Sequence, residues 1–306
     1  MYKRQPQESR YALILQATRQ LKDENTDQIM AIFDDALSVP QEDAGIYLIK
    51  AMVMVRHDFP RDEVNAVYRQ ALAVEPDNEM AQGLLVQNLA EEERFGEIVD
   101  LCKTSLQYTP DNQQLCYFEG FSLFQLKRND EALASLQKTV ELRDEESDSG
   151  MMADCYSLMG EIYREKGMDK ACYEAYDSCL HYAPDNVGAL NNYAYYLSLD
   201  SAADLQKAEQ MSLKAVQKEP DNATFLDTYA WILFKEKRYD DAKTIAERAI
   251  ASDSTLSSVV VEHCGDIFYM AGDTDRAMEM WQKAAQEDEN NAILRRKIEL
   301  KKYIEE

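Results

Sequence analysis

Histidine and cysteine are the residues of this chain with the most scope for chemistry, because they can bind metals, transfer protons or form disulfides. The three histidines, His57, His181 and His263, lie far apart in the sequence, and none is within metal-ligand spacing of another. His263 is followed directly by Cys264, and neighbouring residues of a helix point to different faces. The histidines are therefore expected to be surface or groove residues, and no metal site is predicted.

The cysteines form no recognisable redox or metal-binding motif. There are six of them, at Cys102, Cys116, Cys155, Cys172, Cys179 and Cys264, and no Cys-x-x-Cys occurs. Cys172 and Cys179 are about 10 Å apart along one helix, which is too far for a disulfide. Free cysteine commonly packs as a small apolar residue, and we expect that role here. A Cys102–Cys116 or Cys155–Cys179 bridge stays open, since paired helices could bring these residues together.

Motifs of enzymatic chemistry are missing from the sequence. It contains no glycine-rich phosphate loop, serine nucleophile elbow or paired-carboxylate signature. Acidic residues number 57 among 306, so two of them close together prove nothing. The sequence therefore predicts a non-catalytic protein that needs no cofactor.

The net charge limits the classes of partner. Its formal value is −24, which repels phosphate backbones and anionic membranes, so nucleic acid is not an expected partner. No apolar run approaches the roughly 20 residues of a membrane span. We therefore expect a protein or peptide partner and no direct membrane insertion of this segment.

The first residues have an unusual character. Residues 1–10 are polar throughout, so no secretory signal is visible. The opening MYKRQ resembles the translated read-through of a sequencing-library adapter. We expect residues 1–9 to be a disordered, artefactual start, and the native chain to continue upstream of Gln5.

Four Pro-Asp-Asn triplets divide the sequence at intervals of 34, 74 and 36 residues. They begin at Pro76, Pro110, Pro184 and Pro220. Proline disfavours helical geometry in the residue before it, so each triplet ends a helix. Asp or Asn then supplies an oxygen that caps the next helix. The triplets therefore mark junctions between consecutive helix pairs.

The segment between Ala223 and Ile250 illustrates the pair of helices that is predicted to follow a junction. Leu226, Tyr229 and Leu233 follow the spacing of one helix face, and Lys237-Arg238 is predicted to form a turn to a second helix. This pattern resembles the tetratricopeptide repeat, a helix–turn–helix unit of 34 residues. The resemblance implies an all-α fold, namely a right-handed α-solenoid of tandem repeats with a C-terminal capping helix. We expect at least fourteen antiparallel helices and no sheet.

The resemblance divides the chain into eight repeats and a final helix. The repeats are predicted at 10–44, 45–78, 79–112, 113–152, 153–186, 187–222, 223–257 and 258–291, followed by the capping helix over 292–306. The first repeat is degenerate, and an acidic extension is expected to lengthen a helix or loop near Asp148. The sixth repeat has two extra residues in the turn around Asp200 and Asp204.

Two sets of residues are predicted to face the core. Small residues are expected at close helix contacts, at Gly160, Ala230, Ala249 and Gly265. In the capping helix, Ile293, Ile298 and either Leu300 or Ile304 are expected to point inward, with charges covering the other faces.

The family resemblance also implies a binding groove. In that family, five positions of the first helix of each repeat line a concave face. Transferred to this chain, they give Tyr117, Phe121, Phe124, Asn191, Tyr195, Asp227, Trp231, Phe234, Glu262, Asp266 and Tyr269. This groove would be aromatic with acidic and amide groups between the rings, suited to an apolar side chain flanked by Lys or Arg. The alternative that helix packing buries several of these residues stays open.

Trp231 is expected to lie at the centre of this groove. It is two positions from Tyr229 and from Leu233, which are assigned to the core, and is therefore rotated about 200° away from each. Trp231 should then be exposed, with Tyr195 beside it. Replacing it by Ala is predicted to weaken partner binding and to leave folding nearly intact.

These features favour a scaffold for protein–protein contacts. The alternatives are the recognition arm of an enzyme whose catalytic domain is missing upstream, and self-association through the edge of the first repeat. The segments ALNNYAYYLS, FLDTYAWILF and VEHCGDIFYMAGD resemble a group of bacterial tetratricopeptide proteins that are often exported as lipoproteins. That resemblance implies a periplasmic, membrane-anchored location, with the cytoplasm as the alternative.

Overall fold

The computed structural model of this chain describes Ala12, Ile14 and residues 26–200, 204–253, 255–288 and 290–305. Within these ranges the secondary structure consists of sixteen α-helices with no β-strand. This confirms the predicted all-α class and the minimum of fourteen helices. None of the helices in these ranges is both long and apolar enough to cross a membrane. Two compact units are present, an N-terminal unit over Met1–Lys166 and a C-terminal unit over Gly167–Glu306.

The N-terminal unit contains eight of the described helices. They are α1 Thr26–Leu37, α2 Gly45–Arg56, α3 Arg61–Val74, α4 Glu79–Glu91, α5 Phe95–Ser105, α6 Gln113–Gln125, α7 Asn129–Glu141 and α8 Ser149–Glu165. The pairs α2 with α3, α4 with α5, and α6 with α7 pack against each other. Only three or four residues join the members of each pair, so the chain reverses and the two helices run antiparallel.

The C-terminal unit contains the other eight described helices. They are α9 Asp169–Tyr182, α10 Val187–Leu199, α11 Leu205–Lys218, α12 Ala223–Lys235, α13 Tyr239–Ser252, α14 Ser258–Met270, α15 Thr274–Glu287 and α16 Ala292–Leu300. Here α10 packs on α11, α12 on α13, and α14 on α15, and α16 closes the end against α15. The first helices α10, α12 and α14 also contact one another in order, which gives the unit a continuous wall.

Asparagine starts each helix that follows a Pro-Asp-Asn triplet. The side-chain oxygens of Asn78, Asn112, Asn186 and Asn222 accept hydrogen bonds from backbone N–H groups two or three residues further on. These N–H groups have no partner within the helix, so the cap stabilises its first turn. Asn291 starts α16 in the same way. The capping role predicted for the triplets is therefore confirmed.

The turns within helix pairs share one backbone geometry. A residue in the left-handed region follows the first helix, with φ of 54° at Glu93, 60° at Lys127 and 64° at Lys237. The next backbone N–H then bonds to a carbonyl five residues back, as Arg238 does to Leu233 over 2.9 Å. This is the Schellman arrangement that ends a helix. It confirms the turn predicted at Lys237-Arg238.

Small residues lie where helices approach most closely, as predicted. Ala230 and Ala249 are completely buried, and Gly160 and Gly265 are buried as well. A Cβ atom placed on Gly265 would lie 2.4 Å from Cδ1 of Trp281, which is closer than non-bonded carbon atoms approach. The core of the last helix pair therefore requires glycine at position 265.

The predicted inward face of the capping helix is partly wrong. The buried residues of α16 are Leu294 and Lys297, while Ile298 is half-buried and Leu300 is 60% exposed. Positions 294, 297 and 298 share a helix face, whereas position 300 is rotated about 240° from position 294. The inward face therefore includes a lysine, which the sequence pattern had assigned to the solvent side. Ile293 and Ile304 are half-buried, in agreement with the prediction.

The acidic extension predicted near Asp148 lengthens a helix. Asp148 caps α8 by accepting the backbone N–H of Met151, and α8 has 17 residues. It begins at Ser149, ahead of the predicted start of the fifth repeat at Ala153.

Several sequence predictions fall outside the described residues. They are the artefactual start over 1–9, nearly all of the degenerate helix over 10–25, and residues 201–203 of the turn in the sixth repeat.

Candidate functional site

A cavity of about 500 Å³ opens in the C-terminal unit, between the wall of first helices and the segment after α16. One face of α14 supplies Val259, Glu262, His263 and Asp266, since residues three, four and seven apart lie on the same side of a helix. The other lining residues are Tyr195 and Leu199 of α10, Trp231 and Lys235 of α12, and Asn291, Tyr303 and Ile304. We call this cavity the C-terminal pocket.

Stacked rings form one side of the pocket. The indole of Trp231 lies between the imidazole of His263, at 4.0 Å between ring centroids, and the ring of Phe234, at 4.8 Å. Both pairs are within 17° of parallel. The ammonium of Lys235 lies 5.1 Å from the indole centroid, in cation–π range. The indole is therefore held in one orientation at the pocket wall.

The N–H group of the Trp231 indole has no hydrogen-bond acceptor. Its Nε1 atom is shielded from solvent and has no partner in the protein. The other tryptophan differs, because Nε1 of Trp281 donates to Oδ1 of Asp266 over 2.9 Å. A buried donor without an acceptor costs about 1–3 kcal/mol. The pocket wall therefore carries an unused donor.

His263 forms a buried ion pair with the preceding repeat. Its Nδ1 atom lies 3.0 Å and 3.2 Å from the two carboxylate oxygens of Asp227. Burial alone would lower the pKa of His263, but the charge and hydrogen bond of Asp227, with Asp266 and Glu262 nearby, outweigh it and raise the pKa. The pair therefore joins α12 to α14 at the pocket wall.

A second buried ion-pair cluster joins Lys297 of the capping helix to two carboxylates of α14. Nζ of Lys297, which is 1% exposed, donates to Oε1 of Glu262 over 2.7 Å and to Oδ2 of Asp266 over 2.8 Å. Asn291 donates to the other oxygen of Glu262 over 2.8 Å. Burial raises the pKa of Asp266 to about 6, although Lys297 and Trp281 oppose that shift. Burial acts to lower the pKa of Lys297, but the two carboxylates outweigh it and raise the pKa.

The predicted exposure of Trp231 is wrong. Only 7% of the residue is exposed, because Phe234 from its own helix and His263 from the next repeat cover its two ring faces. Trp231 does line the pocket. Replacing it by Ala is therefore no longer expected to leave folding intact. Tyr195 lines the same pocket, but its ring contacts His263, at 6.3 Å between centroids.

The predicted acidic groups of the groove are present but not available. Asp227, Glu262 and Asp266 are all buried, and each is bound by His263 or Lys297. Each of these carboxylates is therefore already engaged by a cation within the chain, with Glu262 and Asp266 sharing Lys297. The sequence reasoning did not connect either cation with these carboxylates.

Four predicted groove residues of the C-terminal unit do not line the pocket, namely Asn191, Asp227, Phe234 and Tyr269. Asn191 is buried and donates to Asn192 over 3.3 Å. Tyr269 is half-buried and stacks on Trp281 at 5.5 Å. Their packing against neighbouring side chains explains why they lie away from the cavity. The open alternative, that packing buries several of the predicted groove residues, is therefore the one observed, since the buried ones are Phe124, Asn191, Asp227, Trp231, Phe234, Glu262 and Asp266.

In the N-terminal unit the three predicted residues form a local cluster on α6. The rings of Tyr117 and Phe121 are 6.2 Å apart, and Phe121 also meets Phe95 at 5.9 Å. The hydroxyl of Tyr117 donates to Asp154 over 3.4 Å. Tyr117 and Phe121 are half-buried, while Phe124 is buried.

The cysteines all lie in the interior. Burial raises the pKa of the thiol at Cys155 to about 12 and also raises it at Cys102 and Cys116. These three carry free thiols, so neither bridge that the sequence left open is formed. Across the described ranges, no cluster of three or more His, Cys, Asp or Glu side chains is placed to hold a metal ion.

Comparisons with known proteins give a match in structure only. No family model and no curated protein matches the chain by sequence. A tetratricopeptide repeat protein from Parabacteroides merdae superimposes with a TM-score of 0.54 at 14% identity, over 84% of this chain and 98% of that one. The chain has the tetratricopeptide-repeat fold.

Two further structures share this tetratricopeptide fold. YrrB, described as a TPR protein with an unusual peptide-binding site, gives a TM-score of 0.52 at 11% identity, over 61% of this chain and 93% of YrrB. A chain of the APC/C hetero-tetramer Cut9–Hcn1 gives 0.55 at 13% identity, over 96% of this chain and 57% of that one. The C-terminal pocket is lined by residues of α10, α12 and α14 and by Asn291, Tyr303 and Ile304.

Proposed function

We propose that this chain is a non-catalytic scaffold that binds a segment of another protein in the C-terminal pocket. The observation that carries the proposal is the cavity of about 500 Å³, whose lining residues include Trp231 with its unpaired indole N–H. Binding sites combine apolar and aromatic walls with a few polar groups that orient the ligand. The tetratricopeptide fold, shared with a peptide-binding protein such as YrrB, supports the same class of function.

The pocket suits a particular kind of contact. Tyr195 and Leu199, beside the rigid ring stack at Trp231, offer a surface on which an apolar side chain can pack. A backbone carbonyl of the bound segment would accept the hydrogen bond that Nε1–H lacks. Such a contact favours the bound state because it removes the cost of an unsatisfied donor.

The charge of the partner differs from the sequence expectation. A segment with Lys or Arg beside its apolar residue would need free carboxylates, but Glu262 and Asp266 are bound by Lys297. Lys235 is the cation at the pocket wall and lies over the indole of Trp231. The proposed partner is therefore recognised through apolar packing and backbone hydrogen bonding, without a required basic residue.

A displayed library of random peptides, screened against the full chain, tests the proposal. Selected peptides are then measured on Val259→Arg, which places a bulky charge at the rim of the pocket. The matched control is Val55→Arg on α2, since Val55 and Val259 are both 54% exposed and Val55 does not line the pocket. We expect Val259→Arg to weaken binding at least about ten-fold and Val55→Arg to leave it unchanged. A library that yields no binder, or binders indifferent to Val259→Arg, would overturn the proposal.

A further inference from the structure

The segment after the capping helix turns back toward the pocket. Lys301 adopts the left-handed conformation, with φ of 51°. The backbone N–H of Lys302 then bonds to the carbonyl of Lys297 over 3.1 Å. A left-handed lysine costs about 1–2 kcal/mol relative to helical geometry. This conformation ends α16 and directs the chain back along it.

Two side chains of this segment lie in the pocket. Tyr303 and Ile304 both line it, and both are half-buried. The ring of Tyr303 meets that of Phe234 edge to face, at 5.6 Å and 73°. Nζ of Lys297 lies 5.6 Å from the centroid of the Tyr303 ring. The chain therefore adds an aromatic ring to the stack that holds Trp231, and an aliphatic side chain to the same pocket.

We infer that Tyr303 and Ile304 are a built-in occupant of the C-terminal pocket. A partner would then be an extended segment in which an aromatic residue is followed by an aliphatic one, and it would bind by replacing them. The inference rests on the proposed function, because it names the class of segment that the same pocket takes. Residues 303–305 belong to no helix, and they place Tyr303 and Ile304 against this wall.

The burial of the segment suits such an exchange. Tyr303 and Ile304 are half-buried, whereas Trp231 behind them is held on both ring faces. Removing half-buried side chains costs less than removing core residues. The wall therefore stays intact when the segment leaves. While the segment occupies the pocket, a partner can bind only the fraction of molecules in which the pocket is free. Its apparent affinity is lowered by that fraction.

A labelled peptide with the sequence ELKKYIEE, copied from the end of the chain, serves as the probe. It is titrated against the wild-type chain and against the full-length double variant Tyr303→Ala, Ile304→Ala. We expect the variant to bind the probe at least about ten-fold more tightly, because its pocket is free. A probe with Ala at both positions should bind neither protein. Leu300→Ala, at an exposed position just before the segment, should behave as wild type.

A second variant is a control for loss of folding in the double variant. Ile304→Glu keeps Tyr303 in place, and melting curves show whether each variant is folded. Tighter probe binding by Ile304→Glu or by the double variant supports the inference. Equal affinity for wild type and both folded variants would overturn it. If the probe affinities are equal but Val259→Arg still weakens the binding of library peptides, this inference fails and the proposed function stands. If no library peptide binds any of the proteins, the proposed function itself fails.

Discussion

The imidazole of His263 lies flat on the indole of Trp231, with ring centroids 4.0 Å apart and planes 17° from parallel. These residues belong to the first helices of successive repeats. The stack, together with the ion pair from His263 to Asp227, joins α12 to α14 at the pocket wall. The same side chains therefore hold two repeats together and form the surface proposed to bind a partner.

The two tryptophans give a matched test of the unpaired indole donor. Trp281→Phe removes the hydrogen bond to Asp266, whereas Trp231→Phe keeps the ring stack and removes a donor that has no acceptor. Both changes lose similar volume, so we expect Trp281→Phe to lower the free energy of unfolding by about 1.5–3 kcal/mol more than Trp231→Phe does. Urea unfolding measures both values. Equal losses would show that the Trp231 donor has a partner in solution.

Lys297 should be essential for the stability of the C-terminal end. Lys297→Met leaves the carboxylates of Glu262 and Asp266 buried without their cation, which we expect to lower the free energy of unfolding by about 3–5 kcal/mol. The control is Arg296→Met, because Arg296 is exposed on the same helix and its replacement should change stability by less than about 0.5 kcal/mol. If calorimetric melting shows similar small effects for both variants, the pair is not buried as described.

The His263 pair predicts a direction for the dependence of stability on pH. Asp227, Asp266 and Glu262 together raise the folded-state pKa of His263 above its ordinary value of 6.5. Its contribution is therefore fully present below about pH 6.5 and is lost as the pH rises through the folded-state pKa. Unfolding free energies of wild type and His263→Gln, measured from pH 5 to 9, should differ most at low pH. A difference that grows with pH would contradict the assigned pair.

Asp266 contributes in the same direction at lower pH. Burial raises its pKa from 3.8 to about 6, so the folded state holds a proton that the unfolded state has released between these values. Stability from this group therefore falls as the pH rises from about 4 to about 6. In the folded state its titration is only half complete at about pH 6, so it overlaps that of His263 in the measured range.

Gly265 and Gly83 allow a comparison between a glycine that the packing requires and one that alanine can replace. An added Cβ at Gly265 meets the buried ring of Trp281 at 2.4 Å, whereas at Gly83 nothing lies within 4 Å. We expect Gly265→Ala to destabilise the chain by about 1–3 kcal/mol. Gly83→Ala should stabilise it by about 0.4–1 kcal/mol, since alanine favours a helix interior. Thermal melts that rank the two variants in the opposite order would refute the packing of α14 on α15.

The fold could be predicted because its signals are local. The Pro-Asp-Asn triplets, the turn at Lys237 and the small residues at Ala230 and Ala249 each act within one helix pair. Their spacing repeats, so an error in one repeat is corrected by the others. The capping helix has no second copy, and there the prediction failed at Lys297, which is buried.

The pocket was harder to predict because its bonds join different repeats. Asp227 and His263 are 36 residues apart, and Glu262 and Lys297 are 35 apart, so no pattern within one helix links them. The alternation of core and groove positions predicted an exposed Trp231, because it could not show that His263 covers the ring. A signal did exist for the capping helix, since Lys297 lies three residues after Leu294 on the face that must be buried.

The affinity of one library-selected peptide for wild type and for Trp231→Phe tests the central claim most directly. The peptide chosen is one whose binding Val259→Arg abolishes, so it occupies the C-terminal pocket. Trp231→Phe keeps the aromatic wall and removes only the N–H group that we propose the partner engages. The account predicts a dissociation constant about ten-fold higher for Trp231→Phe than for wild type. Equal dissociation constants in two proteins of matched folding would contradict it.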